Sequence, residues 1–380
     1  MHAMQKSREI TIAHPDTQHM DAFFTTSTEP PTLATARVSL DAFVRRHAAP
    51  PSAGRVVLVT SGGTTVPLEK NTVRFIDNFS TGNRGAASVE QFLELGYAVV
   101  FVHRRHSAYP FARRFMPPAL SAAELLQRLG TEEHATAFAV AAAEAERHAT
   151  RLLALPFDSV HEYLHLLRAS CLALAAAGPR AMLYLAAAVS DFFVPEEEMA
   201  EHKIQSGGSG GGGGGSGGAS DGGLTLQLRP VPKLLGAIKR GVGGAPPWAP
   251  QALLVTFKLE TNAHILRAKA AAAIAKYGVD VVCANQLQSY KREVTLVQQS
   301  GAAPPVVVGG SVAGDETADV AVEGIRSSTV LCAPAPEGGG GSQPPEIEAA
   351  LLAELTLLHA ASIEVAKAQV LIASAAGGVE

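Results

Sequence analysis

Five apolar runs constrain this chain more than anything else in it. They are "RVVLVT" (55–60), "YAVVFVH" (97–103), "AMLYLAAAVSD" (181–191), "ALLVTF" (252–257) and "VDVVCAN" (279–285). None alternates apolar with polar residues, and an unalternating run of this length is the pattern of a strand buried on both faces of a parallel sheet. Helix candidates lie between them: residues 83–95, an Ala- and Leu-rich region over 121–177, and 262–277, where Ile265, Leu266, Ala270 and Ile274 form an apolar face. The alternation predicts an α/β fold: a Rossmann-like doubly wound, mostly parallel sheet with helices on both faces and inserted loops. Strands of that sheet fall on both sides of "SGGSGGGGGGSGGASDGG" (206–223). The tract is therefore expected to be a flexible insertion and not a domain boundary. The expected organisation is a flexible tail over 1–35, a single domain over 36–332, a Pro/Gly-rich linker over 333–345 and a helical segment over 346–380.

Composition excludes several classes. A net charge of −4 and a pI near 6.4 do not suit a polybasic nucleic-acid binder, so no nucleic-acid partner is expected. No stretch of 18 consecutive apolar residues occurs and residues 1–35 carry no apolar core segment, so neither a membrane span nor a signal peptide is expected. Three widely spaced cysteines, Cys171, Cys283 and Cys332, form no CxxC pair, which suggests neither a disulfide framework nor a zinc site and suits a cytoplasmic enzyme. No metal-ligand motif is read.

The segment "TSGGTTVPLEKNTVRFIDNFSTGNRG" (60–85) holds two glycine turns where a dinucleotide fingerprint has one. Gly62 and Gly63 end the first strand, yet no helix follows until "NFSTGNRG", where Ser80 or Thr81 is placed to cap it. This spacing predicts a composite pocket. Gly62 and Gly63 let backbone approach a ligand, while Ser80, Gly82 and Gly85 offer donors at a helix start. Arg104 and Arg105 end the second strand, where a dinucleotide site has a ribose-binding acid. An NADP-dependent reductase and a non-catalytic nucleotide-binding module are both readings that this pocket leaves open.

Six motifs in order, "VVLVTSGGTTVPLEKNTVRFIDNFSTGNRGAAS", "YLAAAVSDFFVP", "EHKIQS", "VPKLL", "FKLETN" and "VVCANQL", resemble the phosphopantothenate–cysteine ligases of the eukaryotic type over about residues 50–300. The resemblance implies the joining of 4'-phosphopantothenate to L-cysteine in coenzyme A synthesis. The route implied is an acyl-adenylate, with ATP preferred over CTP, Mg2+ accompanying the triphosphate, and no FMN. It also implies a homodimer, for which the helices of residues 120–177 are the expected contact.

Carried over by motif, Gly62, Ser80, Gly82, Gly85, Phe257 and Asn285 fall on the nucleotide side, together with Lys269 on the helix after "ETN". Asn78, Ala187, Ala188 and Asp191 fall on the phosphopantothenate side, with Asn78 also gripping the acyl-phosphate oxygen. Lys203 in "HKIQS" is the candidate electrostatic catalyst, a point charge for the α-phosphate. Read without the resemblance, Phe257 is a core aromatic, Lys203 a solvated surface lysine and Asp191 a strand-end cap; Asp77 is read as structural.

Overall fold

The structure is a computed structural model that describes residues 23–50, 52–116, 121–204, 226–261, 263–301, 304–308, 321–333 and 345–376. The strands are β1 (Val56–Ser61), β2 (Thr65–Pro67), β3 (Phe75–Asp77), β4 (Ala98–Arg104), β5 (Leu152–Phe157), β6 (Ala181–Leu185), β7 (Phe192–Phe193), β8 (Arg229–Pro230), β9 (Leu253–Glu260), β10 (Val281–Gln286), β11 (Glu293–Gln299), β12 (Val306–Val308), β13 (Ala321–Glu323) and β14 (Ile325–Leu331). The helices are α1 (Leu33–Ala48), α2 (Asn83–Glu94), α3 (Ala122–Leu129), α4 (Glu132–His148), α5 (Val160–Leu174), α6 (Leu235–Lys239), α7 (Ala263–Tyr277) and α8 (Ile347–Ala376).

One eight-stranded sheet runs in the order β14-β11-β10-β9-β6-β1-β4-β5. Its six strands from β10 to β5 are parallel, and β11 and β14 close one edge antiparallel. All six residues of β1 are buried: Val56 and Leu58 pack into the layer built by α1, α5, α6 and α7, and Val57 and Val59 into that built by α2 and α8. Burial on both faces is why this run shows no alternation. The chain winds outward from β1 through β4 to β5, then crosses back to lay β6, β9 and β10 on the other side. The switch point therefore lies between β1 and β6, where folds of this class bind ligands beyond the carboxyl ends of the strands.

The structure corrects several expectations. Residues 121–177 are not purely helical, because β5 lies among them; it is the edge strand of the sheet, the position at which its Pro156 is tolerated. The third strand ends at Leu185, leaving residues 186–191 as a loop. The expected tail includes ordered chain: Phe23 and Leu33 are buried in the core, and α1 packs on α5. The 206–223 tract and residues 334–344 of the expected linker lie outside the described residues. Antiparallel pairing of β7 with β8 brings the chain before and after the glycine tract side by side.

The C-terminal helix α8 departs from the expected absence of any apolar span. Ile347–Ser374 is long and apolar enough, by length and composition, to cross a membrane. Its first turns serve instead as a core helix, with Ile347, Leu351, Leu352 and Leu355 buried against α2 and the sheet. Arg113 fastens this helix by pairing with the buried Glu90 of α2 at 2.9 Å and with Glu346 at 2.6 Å. Deeper in, His359 is fully buried between the Tyr97 hydroxyl (Nδ1, 2.8 Å) and the Pro179 carbonyl (Nε2, 3.0 Å). The neutral tautomer that accepts from Tyr97 and donates to Pro179 satisfies both ring nitrogens.

Burial pushes the His359 pKa down to about 4. The folded state then binds fewer protons than the unfolded chain, whose histidine titrates near 6.5. The stabilisation is complete above about pH 6.5 and is lost as the pH falls toward 4, to a total of roughly 3 kcal/mol. Urea unfolding of the wild type should weaken across that window, and His359→Gln should show a flatter profile there. Parallel profiles would rule out His359 as the acid-sensitive group.

Candidate functional site

The first glycine turn is shaped by what crowds it. Gly62 has φ +86°, and a Cβ there would lie 2.6 Å from the Arg104 Cβ. A Cβ on Gly63 would lie 1.5 Å from the Asn78 carbonyl oxygen. The second glycine is therefore what admits the loop carrying Asn78 to the end of β1. Backbone hydrogen bonds hold this arrangement: Ala188 N–H donates to Gly62 O (2.8 Å), Thr64 N–H to Ala188 O (3.0 Å) and Asn78 N–H to Thr64 O (3.1 Å). The hydroxyls of Thr60 and Thr64 accept from the N–H groups of Ala187 (3.2 Å) and Ser190 (3.0 Å). Gly62, Asn78, Ala187 and Ala188, far apart in sequence, thus meet at the switch point.

The second turn packs on the first. Ser61 Oγ donates to Gly82 O at 2.9 Å, and a Cβ on Gly85 would fall 2.3 Å from that same Oγ. Gly85 is needed for α2 to approach β1 this closely. Contrary to expectation, neither Ser80 nor Thr81 caps α2. The N-cap is Gly82, at φ +75° with no side-chain cap, while Ser80 Oγ accepts from Gly82 N–H at 3.3 Å. The Asn83 N–H donates to the Thr81 hydroxyl at 3.4 Å, and the N–H groups that follow it in this first turn, without a side-chain cap, suit an anion.

Beside this turn stands a mixed wall. Phe257 of β9 is half-buried and meets Tyr184 edge-on at 4.9 Å, and its strand register places it beside Cys283 of β10. Asn285, two residues along β10 on the same face, is only 4% exposed. Its Nδ2 donates to Cys283 O at 3.2 Å, whereas its buried Oδ1 has no partner among the described residues. A buried amide oxygen without a partner is costly and marks a place for a donor. The Lys269 ammonium pairs with Glu260 of β9 at 2.8 Å.

Asp191 is exposed and paired with Lys233 of "VPKLL" at 2.8 Å. Lys203 is exposed, on a strap tied to the β2–β3 loop: Lys70 N–H donates to Ala200 O (2.9 Å) and Asn71 N–H to Glu201 O (3.2 Å). At the centre of this tie is Glu69, a residue the sequence reading passed over. Its side chain is fully buried and accepts from the N–H groups of Arg74 (3.1 Å), Val73 (3.3 Å) and Ile204 (3.4 Å), while Arg74 donates to the Ile204 carbonyl. Burial alone would raise the Glu69 pKa, but the three N–H donors win and hold it below the usual range. No local pattern marks Glu69, because Ile204 comes from a distant segment.

The arginines that would suit an NADP phosphate are already occupied: Arg104 pairs with Asp77, and Arg105 pairs with Asp158 at 2.9 Å. Among the described residues no group of three or more His, Cys, Asp or Glu side chains could hold a metal ion. Cys171 and Cys283 are buried, and burial raises both thiols, that of Cys283 to about 12, so neither is a nucleophile at neutral pH. What the candidate site presents is amides, hydroxyls and backbone groups.

A mostly parallel sheet with glycine turns at its switch point is the architecture of an α/β protein that binds its ligand beyond the carboxyl ends of the strands. The family described as the DNA/pantothenate metabolism flavoprotein C-terminal domain matches residues 52–151. Phosphopantothenate–cysteine ligase 2 of Oryza sativa is 45% identical over 269 residues, covering 68% of this chain and 77% of the relative. The human phosphopantothenate–cysteine ligase is 45% identical over 257 residues, covering 64% and 76%. Among solved structures, a histidine-to-alanine mutant of Cab2 aligns with a TM-score of 0.72 at 32% identity, over 92% of this chain and all of that one. The same mutant in complex with phosphopantothenate-cysteine aligns at 0.71. The chain belongs to the phosphopantothenate–cysteine ligase family.

Gly63→Ala tests the crowding at the first turn. By forcing the Asn78 carbonyl away by about 1.5 Å or more, it should cut turnover by about 100-fold while the far-UV circular dichroism stays that of the wild type. Gly130→Ala, whose Cβ would meet no atom closer than 3.4 Å, should leave turnover unchanged. A fully active Gly63→Ala would remove Asn78 from the site.

Proposed function

We propose that this ligase joins 4'-phosphopantothenate to L-cysteine through an acyl-adenylate built on ATP, with the nucleotide over Gly62, Ser80, Gly82, Gly85, Phe257 and Asn285. The observation that carries the reading is the joining of the two glycine turns with Asn78 and Ala187–Ala188 at one switch point. A nucleotide on the uncapped helix start and a carboxylate beside Asn78 would then lie within reach of each other. The substrate carboxylate attacks the α-phosphorus and the bond to pyrophosphate breaks. The cysteine amine next attacks the acyl carbon, AMP leaves with the bonding electrons, and the amine gives up its proton.

The protein's part is positioning and charge stabilisation. The Asn78 amide can donate to the acyl-phosphate oxygen, and Ala187 and Ala188 leave room for the pantothenate chain against backbone. Asp191 takes a substrate hydroxyl or amide while Lys233 holds its carboxylate. Lys203, on the strap that Glu69 fixes, meets charge growing on the α-phosphate. Lys269 is assigned to the phosphates, a role that requires it to leave Glu260. Mg2+ would screen the triphosphate. The amide- and hydroxyl-rich donor set fits an ion ligated chiefly by phosphate and water oxygens.

FMN has no part in this scheme. We further propose a cytoplasmic homodimer. The β2–β3 hairpin supports it: Val73, Phe75 and Phe79 are exposed, Phe79 at 87%, beside Asn78, and apolar exposure of that extent suits a second subunit. We assign the contact to the hairpin as well as to the helices of residues 120–177, where Leu126 and Phe138 are also exposed.

Release of pyrophosphate that requires phosphopantothenate, and that is faster with ATP than with CTP, is the expected behaviour. Equal use of CTP would overturn the nucleotide assignment. Lys203→Gln should slow the pyrophosphate burst by about 10²–10³-fold while phosphopantothenate still binds. A full burst in rapid quench would show that the catalytic charge lies elsewhere.

A further inference from the structure

Three distant parts of the chain meet at the wall beside α2. Arg84, in the first turn of α2, holds its guanidinium carbon 5.7 Å from the ring centre of Phe257 and 5.7 Å from that of Tyr290. Its Nη2 donates to the Tyr290 carbonyl, and its Nη1 lies 3.5 Å from Oε1 of Glu348 on α8. The two side chains are only 15% and 10% exposed. An arginine this enclosed normally spends its donors. Here Nη1 is buried and makes no hydrogen bond among the described residues, the 3.5 Å approach to Glu348 being an ion pair without hydrogen-bond geometry.

The same wall holds the unpartnered Oδ1 of Asn285. One unspent donor and one unspent acceptor, set around the ring of Phe257, are complementary to a heteroaromatic ligand bearing an N–H donor and a nearby acceptor. We propose that Arg84 contacts the nucleotide through Nη1 and that Glu348, reaching in from the C-terminal helix, is the residue that positions it. This rests on reading the Phe257–Asn285 wall as the nucleotide's.

The geometry separates this role from simple docking of α8. That helix has its own anchor two residues earlier, where Glu346 pairs with Arg113 at 2.6 Å, and Arg113 in turn pairs with Glu90. Its apolar residues Ile347, Leu351, Leu352 and Leu355 are buried independently. Removing the Glu348 charge therefore leaves the helix attached and frees only the guanidinium. Arg84→Lys keeps a positive charge and loses the planar fork that serves Tyr290 and a ligand at once.

The test varies ATP at saturating phosphopantothenate and cysteine, with direct calorimetric titration of ATP alongside. Arg84→Lys and Glu348→Gln should each raise KM and Kd for ATP by about tenfold, the loss of one charged hydrogen bond, with kcat within a few-fold of wild type and little change in Tm. The double variant should be no worse than either single one, because both changes break one unit. Glu346→Gln should do the opposite, lowering Tm and sparing KM for ATP. If Glu348→Gln behaves like Glu346→Gln, Glu348 only docks the helix and the inference fails. Phe257→Ala separates the two levels. If it raises KM for ATP while Arg84→Lys and Glu348→Gln do not, this inference alone is overturned. If Phe257→Ala has no effect, the wall is not the nucleotide's and both readings fall.

Discussion

The site depends on the two backbone hydrogen bonds that join Ala188 to Gly62 and Thr64. They continue the β1–β6 pairing past the last regular residues of both strands, into chain that would otherwise be two independent loops. Because each donor and acceptor is main chain, the bonds fix position without needing particular side chains. Only small residues let the loops come this close, so the alanines and glycines of the motifs are there for what they leave out. Once that junction is set, the Asn78 loop has a single seat, over Gly63, and the α2 turn a single seat, over Ser61.

Around the junction, buried charges join segments that strands and helices do not. Glu69 gathers the β2–β3 loop and the strap of Lys203 around one carboxylate, and Arg113 gathers α2 and α8 around one guanidinium. A buried ion with several hydrogen bonds is a poor source of net stability, yet removing one partner strands the other in a low-dielectric interior. Such groups fix geometry more than they strengthen the fold. They sit where the sheet's own hydrogen bonding has run out.

The five central strands are legible in the sequence because burial on both faces removes the polar residues that would blur them. β5 is not, since an edge strand keeps a proline and merges with the helical composition around it; nor are β11 and β14, whose exposed positions look like loop. The glycine turns can be read because their spacing breaks the usual fingerprint, although the capping role goes to Gly82 and not to a hydroxyl. Glu69, Arg84 and Glu348 cannot. A charged residue's burial is decided by partners distant in the chain, and such residues are solvated by default. Lys269 is found at the right end of the sheet, but its partner Glu260 is invisible to motif spacing.

The strand order also governs how the protein can be made. β1 is central, yet β6, which covers one of its edges, is translated about 120 residues later, an interval of roughly ten seconds at ordinary elongation rates. Until then β4 can cover the other edge only, and a nascent chain bearing "VVLVTS" offers an apolar, hydrogen-bond-hungry rim to its neighbours on the polysome. The reversal of winding that creates the binding crevice thus also creates a window of vulnerability during translation. Chaperone demand should be greatest there, while ribosomes traverse the codons between β5 and β6.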